Sequence, residues 1–256
     1  MKLNIITSYP KSGNTWMRYI VYELFFNPKN YVNDNSLNIK KFIPDLHQIH
    51  LKDNQLILDE DLKNKEVFIK SHYSFDQMKN FPLNKIILVV RNPLDVFVSL
   101  YNYYDLDDKN KDKYVEEFAK NHTLPGLSKF NYPSWSEHLL KWLNSKLDIC
   151  LIKYNSLIDD FDNEISKLLD FFNISLNQEK LKLLKLNTSF SKLKSIEKKE
   201  KETKPEGFFK DEPIAKFKDR YFMNIGKKDS YKNFLNDSQI SKLKDSFGEY
   251  IKKYNL

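Results

Sequence analysis

Lys11, Ser12, Gly13, Asn14 and Thr15 stand together in the run Ser8-Tyr9-Pro10-Lys11-Ser12-Gly13-Asn14-Thr15-Trp16. One full positive charge, two hydroxyls and a glycine that lets the backbone approach are the groups that hold phosphate or sulfate. An apolar run, Leu3 to Ile6, precedes them and a helical pattern, Trp16 to Phe26, follows, so they fall at a helix N-terminus, where free N–H groups and the dipole favour anions. The glycine order does not suit a nucleoside triphosphate: GxxxxGK[ST] puts its lysine after the second glycine, whereas Lys11 precedes the loop's one glycine. A second anion signal is Val89-Val90-Arg91-Asn92-Pro93-Leu94-Asp95-Val96-Phe97-Val98-Ser99, in which Arg91 leaves a strand and Ser99 lies two turns into the next helix. A guanidinium and a hydroxyl make a phosphate clamp, although Arg91 could instead pair with Asp95. The third signal, Phe68-Ile69-Lys70-Ser71-His72, brings a lysine and a histidine to one strand end. A neutral imidazole there could take a proton from an acceptor hydroxyl or amine. Two anion sites at two strand ends suggest a ligand with phosphates at both ends of a nucleoside.

The elements that must position these groups read as a parallel sheet with helices on both faces, because short apolar runs alternate with amphipathic stretches of helical period. Strands are expected over Leu3 to Ser8, Glu66 to Lys70, Lys85 to Arg91 and Asp148 to Tyr154. Helices are expected over Thr15 to Phe26, Pro93 to Tyr103, Pro133 to Ser145, Ile158 to Phe172, Gln178 to Leu186 and Ser238 to Lys253. Pro93 suits a first helical turn, and Asp95 complements the dipole there. Asp105 to Gly126 and Lys192 to Glu212 are charge-rich and read as irregular loops, with a lid role left open. Trp135, His138 and Trp142, at spacings of three, four and seven, read as a core-facing helix stripe. His47, His50 and His122 lack any convergence with the charged loops.

The chain of 256 residues fits one α/β domain spanning 1–256, and its net charge of +7 suggests an acidic ligand or a lysine-rich exterior. Arginine is scarce, at Arg18, Arg91 and Arg220, so each calls for a structural reason. The single cysteine, Cys150, sits in an apolar run and reads as a buried strand residue rather than a nucleophile. No apolar segment approaches the roughly 18 residues of a membrane span, and no basic region and apolar signal core precede the first strand. The expected setting is a reducing cytoplasm.

Taken in order, these segments resemble the sulfotransferases that use 3′-phosphoadenosine 5′-phosphosulfate, particularly the soluble type. The resemblance runs through YPKSGNTW, IKSH, VVRNPLDVFVS, SWSEHLLKW, the strand ending in Tyr154, the TSF of Thr188 to Phe190 and FMNIGKKDSYKNF, nearly the whole chain. It implies a three-layer architecture like that of P-loop nucleotide hydrolases. It further implies that Lys11, Ser12, Gly13, Asn14 and Thr15 bind the 5′-phosphosulfate and that Trp16 lies against adenine. Arg91 and Ser99 match the 3′-phosphate clamp, with Ser99 also among the reacting groups, and Tyr154, Thr188 and Phe190 match adenine-pocket positions. His72 matches the catalytic base and Lys70 a lysine that assists the reacting centre. The implied reaction is in-line sulfuryl transfer to a small-molecule hydroxyl or amine, with Lys11 stabilising the leaving phosphate and no bound metal.

The late segment departs from the family's RKGxxGDWK: Asn224 stands where the arginine is expected, in Asn224-Ile225-Gly226-Lys227-Lys228-Asp229. Lys227 or Lys228 is the expected substitute charge, with Gly226 keeping a backbone contact. Asn14 replaces the usual threonine of the first loop. Phe75, Phe81, Tyr101, Tyr103 and Tyr104 are candidates to line an apolar acceptor pocket. A nucleotide-kinase-like enzyme would want the Walker glycines and a magnesium carboxylate, neither of which is evident. A non-catalytic adenosine 3′,5′-bisphosphate-binding protein is the other alternative. Nucleic acid is not an expected partner, because the positive charge is dispersed among acidic residues.

Overall fold

The computed structural model describes residues 2–27, 37–46, 51–52, 55–56, 67–203, 207–210 and 219–256. Its elements in chain order are β1 (Leu3–Ser8), α1 (Asn14–Phe25), α2 (Leu37–Phe42), β2 (Leu51–Lys52), β3 (Gln55–Leu56), β4 (Val67–Ser71), α3 (Phe75–Met78), β5 (Leu83–Val90) and α4 (Pro93–Tyr104). They continue with α5 (Lys111–Asn121), α6 (Pro125–Ser128), α7 (Trp135–Leu143), β6 (Asp148–Lys153), α8 (Tyr154–Asp159), α9 (Phe161–Phe172), α10 (Gln178–Asn187), α11 (Phe190–Thr203) and α12 (Asp237–Tyr254). Single 3-10 turns lie at Asp108–Asn110 and Ser230–Asn233.

The main sheet has the order β4-β1-β5-β6 with every pairing parallel, while β2 and β3 form a separate antiparallel pair. Successive side chains of a strand face opposite ways, and a parallel sheet flanked by helices buries both faces. Leu3, Ile5, Ile69, Ile86 and Leu88 accordingly enter one core with α4, α5, α7 and α12. Ile6, Phe68, Ile87, Val89 and Cys150 enter a second core with α1, α9 and α11. Burial pushes the Cys150 thiol up to about 12, so its place in a strand interior is the inert one expected. All four strand C-termini lie at one end. β1 sends its chain one way to β4 and the next crossover returns past it to β5, so the strand order reverses at β1 and β5. Ligands of open α/β sheets sit in the crevice at such a reversal. It lies between the loop after β1 and the loop after β5, which carry Lys11 and Arg91.

Local chemistry sets the element ends. Gly13 caps α1 with φ 107°, and Asn92 caps α4 by accepting from the Leu94 N–H at 2.9 Å, with Pro93 in the first turn. Ser134 and Glu137 close a reciprocal capping box at the start of α7.

Several expectations need correction. Asp105 to Gly126 is largely helical: Val115 and Phe118 of α5 are buried, and the Phe118 ring centroid lies 5.3 Å from that of Phe247 on α12. Lys192 to Glu212 is not an irregular loop in its first half, because α11 runs through it; residues 204–206 and 211–212 lie outside the described set. The strand expected to end at Tyr154 ends at Lys153, and Tyr154 opens α8. The helix expected from Ile158 is interrupted at Asp160, whose side chain caps α9 by accepting from Asn163 N–H. Glu66, His47 and His50 lie outside the described residues. Among the described residues no helix is long and apolar enough to cross a membrane.

Candidate active site

A cavity of about 530 Å³ opens at the reversal point, above the ends of β1, β4 and β5. Of the residues singled out in the sequence, Lys11, Gly13, Asn14, Thr15, Trp16, Lys70, His72, Arg91, Ser99, Tyr154, Phe190 and Gly226 line it. Ser12, Thr188, Lys227 and Lys228 do not.

The loop after β1 is held in a shape that ordinary residues resist. Lys11 has φ 65° and Gly13 φ 107°, and a Cβ on Gly13 would come within 2.5 Å of the Tyr154 ring. The Lys11 ammonium lies over the rings of Phe222, 3.6 Å from the centroid, and Tyr103, at 4.1 Å. Ser12 is buried below the loop, where its hydroxyl finds no partner. The Asn14 amide nitrogen donates to Ile6 O, Ser8 Oγ and Ser71 O at 3.2–3.4 Å, which ties the ends of β1 and β4 together. The departure from threonine therefore has a framework role, in addition to a position on the cavity wall.

Arg91 does not pair with Asp95. Its two terminal nitrogens donate to the carbonyls of Lys11 and Lys227, at 3.3 and 3.2 Å, and the guanidinium lies 4.4 Å from the Tyr154 ring centroid. Asp95 is fully buried and accepts from the Asp229 and Tyr231 N–H groups and the Ser230 hydroxyl, fastening the late segment to α4. Arg91 Nε and Trp16 Nε1 are buried at this cavity without a hydrogen-bond partner. Such orphaned donors are rare in proteins and costly unless a ligand or water meets them.

His72 Nδ1 lies 2.7 Å from Ser8 O. A carbonyl can only accept, so Nδ1 carries the proton and Nε2 is the basic nitrogen. Burial, reinforced by the Lys70 ammonium, holds this imidazole well below its ordinary pKa, so it is neutral at neutral pH. Lys70 Nζ lies 2.6 Å from Asp45 Oδ2.

The late segment crosses the cavity from Phe222 to Gly226 and Ser230. Gly226, at φ 61°, leaves no room for a Cβ, which would fall 2.1 Å from the Phe190 ring. Lys228 turns to Asp159 in an ion pair, and Lys227 contributes its carbonyl to Arg91, so neither places an ammonium in the cavity. Thr188 is fully buried, its hydroxyl donating to Leu184 O at 2.8 Å within α10. Of the aromatic candidates, Tyr103 and Tyr104 line the cavity; Tyr101 lies in the core and Phe75 and Phe81 pack against it. Trp135, His138 and Trp142 are core residues as the stripe implied, with His138 Nε2 2.9 Å from Thr7 Oγ1.

Sequence reading missed Arg18, Asp45, Tyr132, Lys185, Phe222 and Met223, all on the cavity wall. The scarcity of arginine was a usable signal for Arg18. Asp45 carried none, because nothing near it in sequence marks a strand end. Among the described residues no group of three His, Cys, Asp or Glu side chains stands where it could hold a metal ion.

A family model described as the sulfotransferase domain matches residues 3–255. Mouse sulfotransferase 1A1 is 29% identical over 197 residues, which is 74% of this chain and 66%, just under two thirds, of that protein. Flavonol 3-sulfotransferase of Flaveria bidentis is 24% identical over 258 residues, 93% of this chain and 78% of that protein. A solved mouse sulfotransferase complexed with PAP superposes with a TM-score of 0.65 at 21% identity, covering 98% of this chain and 85% of the other. That superposition carries the fold.

Proposed function

The chain belongs to the sulfotransferase-domain family, and on that premise we propose that it transfers a sulfuryl group from 3′-phosphoadenosine 5′-phosphosulfate to a hydroxyl or amine of a small molecule. The observation that carries this reading is the pair of buried, unpartnered donors, Arg91 Nε and Trp16 Nε1, on a cavity that also receives Lys11 and the N-terminus of α1. An elongated nucleotide with an anionic group at each end would meet both ends of that arrangement.

The 5′-phosphosulfate is assigned to the loop Lys11 to Thr15, with Ser12 and Asn14 acting chiefly as its frame. Adenine is assigned to Trp16, Tyr154 and Phe190, and the 3′-phosphate to Arg91, Ser99 and the Gly226 backbone. The acceptor atom forms its bond to sulfur as the bond from sulfur to the 5′-phosphate oxygen breaks. The electron pair passes to that oxygen, beside the Lys11 charge, and the acceptor proton passes to His72 Nε2 and on to solvent. The products are the sulfated acceptor and adenosine 3′,5′-bisphosphate. Positioning and charge stabilisation carry such a transfer, as they do for phosphoryl groups. The proposed setting is the cytoplasm, which suits a chain with one buried, free cysteine.

The test is incubation with labelled donor and a panel of phenols, alcohols and amines, reading labelled product and released bisphosphate together. His72→Ala is expected to lower turnover roughly 10²–10⁴-fold with donor binding retained. Tight bisphosphate binding without transfer to any acceptor class would instead support a binding protein.

A further inference from the structure

Asp45 enters the cavity by a built route. It follows α2 in Ile43-Pro44-Asp45, and this segment is fixed at each residue. A terminal nitrogen of Arg18 donates to Ile43 O at 2.5 Å, the Lys70 N–H donates to Pro44 O at 2.9 Å, and Asp45 makes a parallel bridge to Lys70. The segment thus extends the sheet by one residue along the free edge of β4. It delivers the Asp45 carboxylate 2.6 Å from the Lys70 ammonium, with 18% of the carboxylate side chain and 9% of the lysine side chain exposed. Asp45, Lys70 and His72 face the same cavity.

We infer that Asp45 is a positioning residue of the reacting centre, holding Lys70 against the wall and offsetting its charge beside His72. The inference rests on the sulfuryl-transfer reading for its purpose, but the coupling itself is a property of the three side chains. Proton transfer to His72 would otherwise create an imidazolium next to an ammonium in a buried site, where like charges repel strongly. Among the described groups that face the imidazole, Lys70 of β4 and His138 of α7 oppose protonation, as does burial. Asp45 and the Ser8 carbonyl favour it, and the Tyr132 ring, at 5.3 Å between centroids, closes one side without charge. Asp45 in turn faces Lys70, His72 and Arg18, which together overcome burial and hold its carboxyl at about 2. Its negative charge is therefore constant over the range in which an imidazole works. With Asp45 ionised, the protonated centre carries one net positive charge rather than two.

The experiment compares wild type with Asp45→Asn, Asp45→Glu and Lys70→Met by following the His72 ring signals in NMR as pH is varied, and by recording kcat and donor KM against pH. Asp45→Asn should lower the imidazole pKa by on the order of one pH unit and reduce kcat at least about tenfold, with donor KM within about twofold. Lys70→Met should move the imidazole the other way, and Asp45→Glu should restore most of both readouts. An imidazole titration in Asp45→Asn that matches wild type overturns the inference, as does a loss that appears only in donor KM. The NMR arm needs no turnover. A protein with no transferase activity would therefore defeat the functional reading while leaving the Asp45 coupling to stand or fall on its own measurement.

Discussion

At the scale of single residues, the 3′-phosphate end of the proposed donor site holds the departure from the expected late segment, and charge placement decides its effect. Asn224 lines the cavity where an arginine is expected, and the neighbouring lysines do not replace it. Lys228 is drawn to Asp159, and Lys227 serves through its carbonyl. On the proposed assignment, Arg91 meets the 3′-phosphate without a second guanidinium from the late segment. Adding one charge-assisted bond is worth about 1.5–3 kcal/mol, which is about ten- to hundredfold in affinity. Asn224→Arg should therefore tighten binding of adenosine 3′,5′-bisphosphate by about that factor, while Lys228→Ala should leave it within about twofold, both read by calorimetric titration. Gly13 makes the opposite case. Any side chain there meets the Tyr154 ring at 2.5 Å and a backbone at φ 107°, a strain of roughly 1–2 kcal/mol before the clash is counted. Gly13→Ala should weaken the same titration about tenfold or more. A Gly13→Ala protein that binds as wild type would mean that the loop is not the anion grip.

At the scale of elements, α11 shows what charge patterning alone conceals. A run of lysines and glutamates reads as a solvated loop, yet Leu193 and Ile196 pack into the second core, and Glu197 and Glu200 are buried beside them. Their partners explain it: Glu197 accepts from the N–H groups of Phe222 and Met223 at 2.5 and 2.8 Å, and Glu200 from Phe209 N–H at 2.8 Å. Those partners lie 25, 26 and 9 residues further along the chain, beyond any local periodicity. The element thereby pins the segment whose Phe222 ring lies under the Lys11 ammonium. Glu197→Ala should cost on the order of 2 kcal/mol or more in urea unfolding, through two lost charge-assisted bonds and stranded N–H groups. It should also raise donor KM as the Phe222 wall loosens. Lys198→Ala, on the exposed side of the same helix, should stay within about 0.5 kcal/mol of wild type in both assays. Equal effects from the two substitutions would remove the argument.

At the scale of the whole molecule, what was legible in sequence is what depends on neighbours along the chain. Short continuous apolar runs marked the four parallel strands to within a residue or two, and loop chemistry at Lys11, Lys70 to His72 and Arg91 marked three strand ends that the reversal of strand order brings together. The roles of Asp45, of Arg18 and of Asp95 as anchor of the late segment were not legible, because each acquires its role only from a partner on another element. The same tertiary burial that hides such roles also makes folding pH-dependent. His138 sits between α7 and the sheet, 2% exposed, and burial holds its imidazole down at about 3. In the unfolded chain it would titrate near 6.5. Between those values the unfolded state binds a proton that the native state does not, so stability is full above about pH 6.5 and falls as pH drops, by about 1.4 kcal/mol per pH unit. From pH 6.5 to pH 5 this one group removes about 2 kcal/mol, and His72, also depressed by burial, adds to the loss with the same sign. His138→Gln can still hydrogen-bond Thr7 but has no proton to take up. Its urea midpoint should fall less between pH 7 and pH 5 than that of wild type, by the equivalent of about 2 kcal/mol. If the two proteins lose stability in parallel over that interval, the buried neutral imidazole is not what couples this fold to acid.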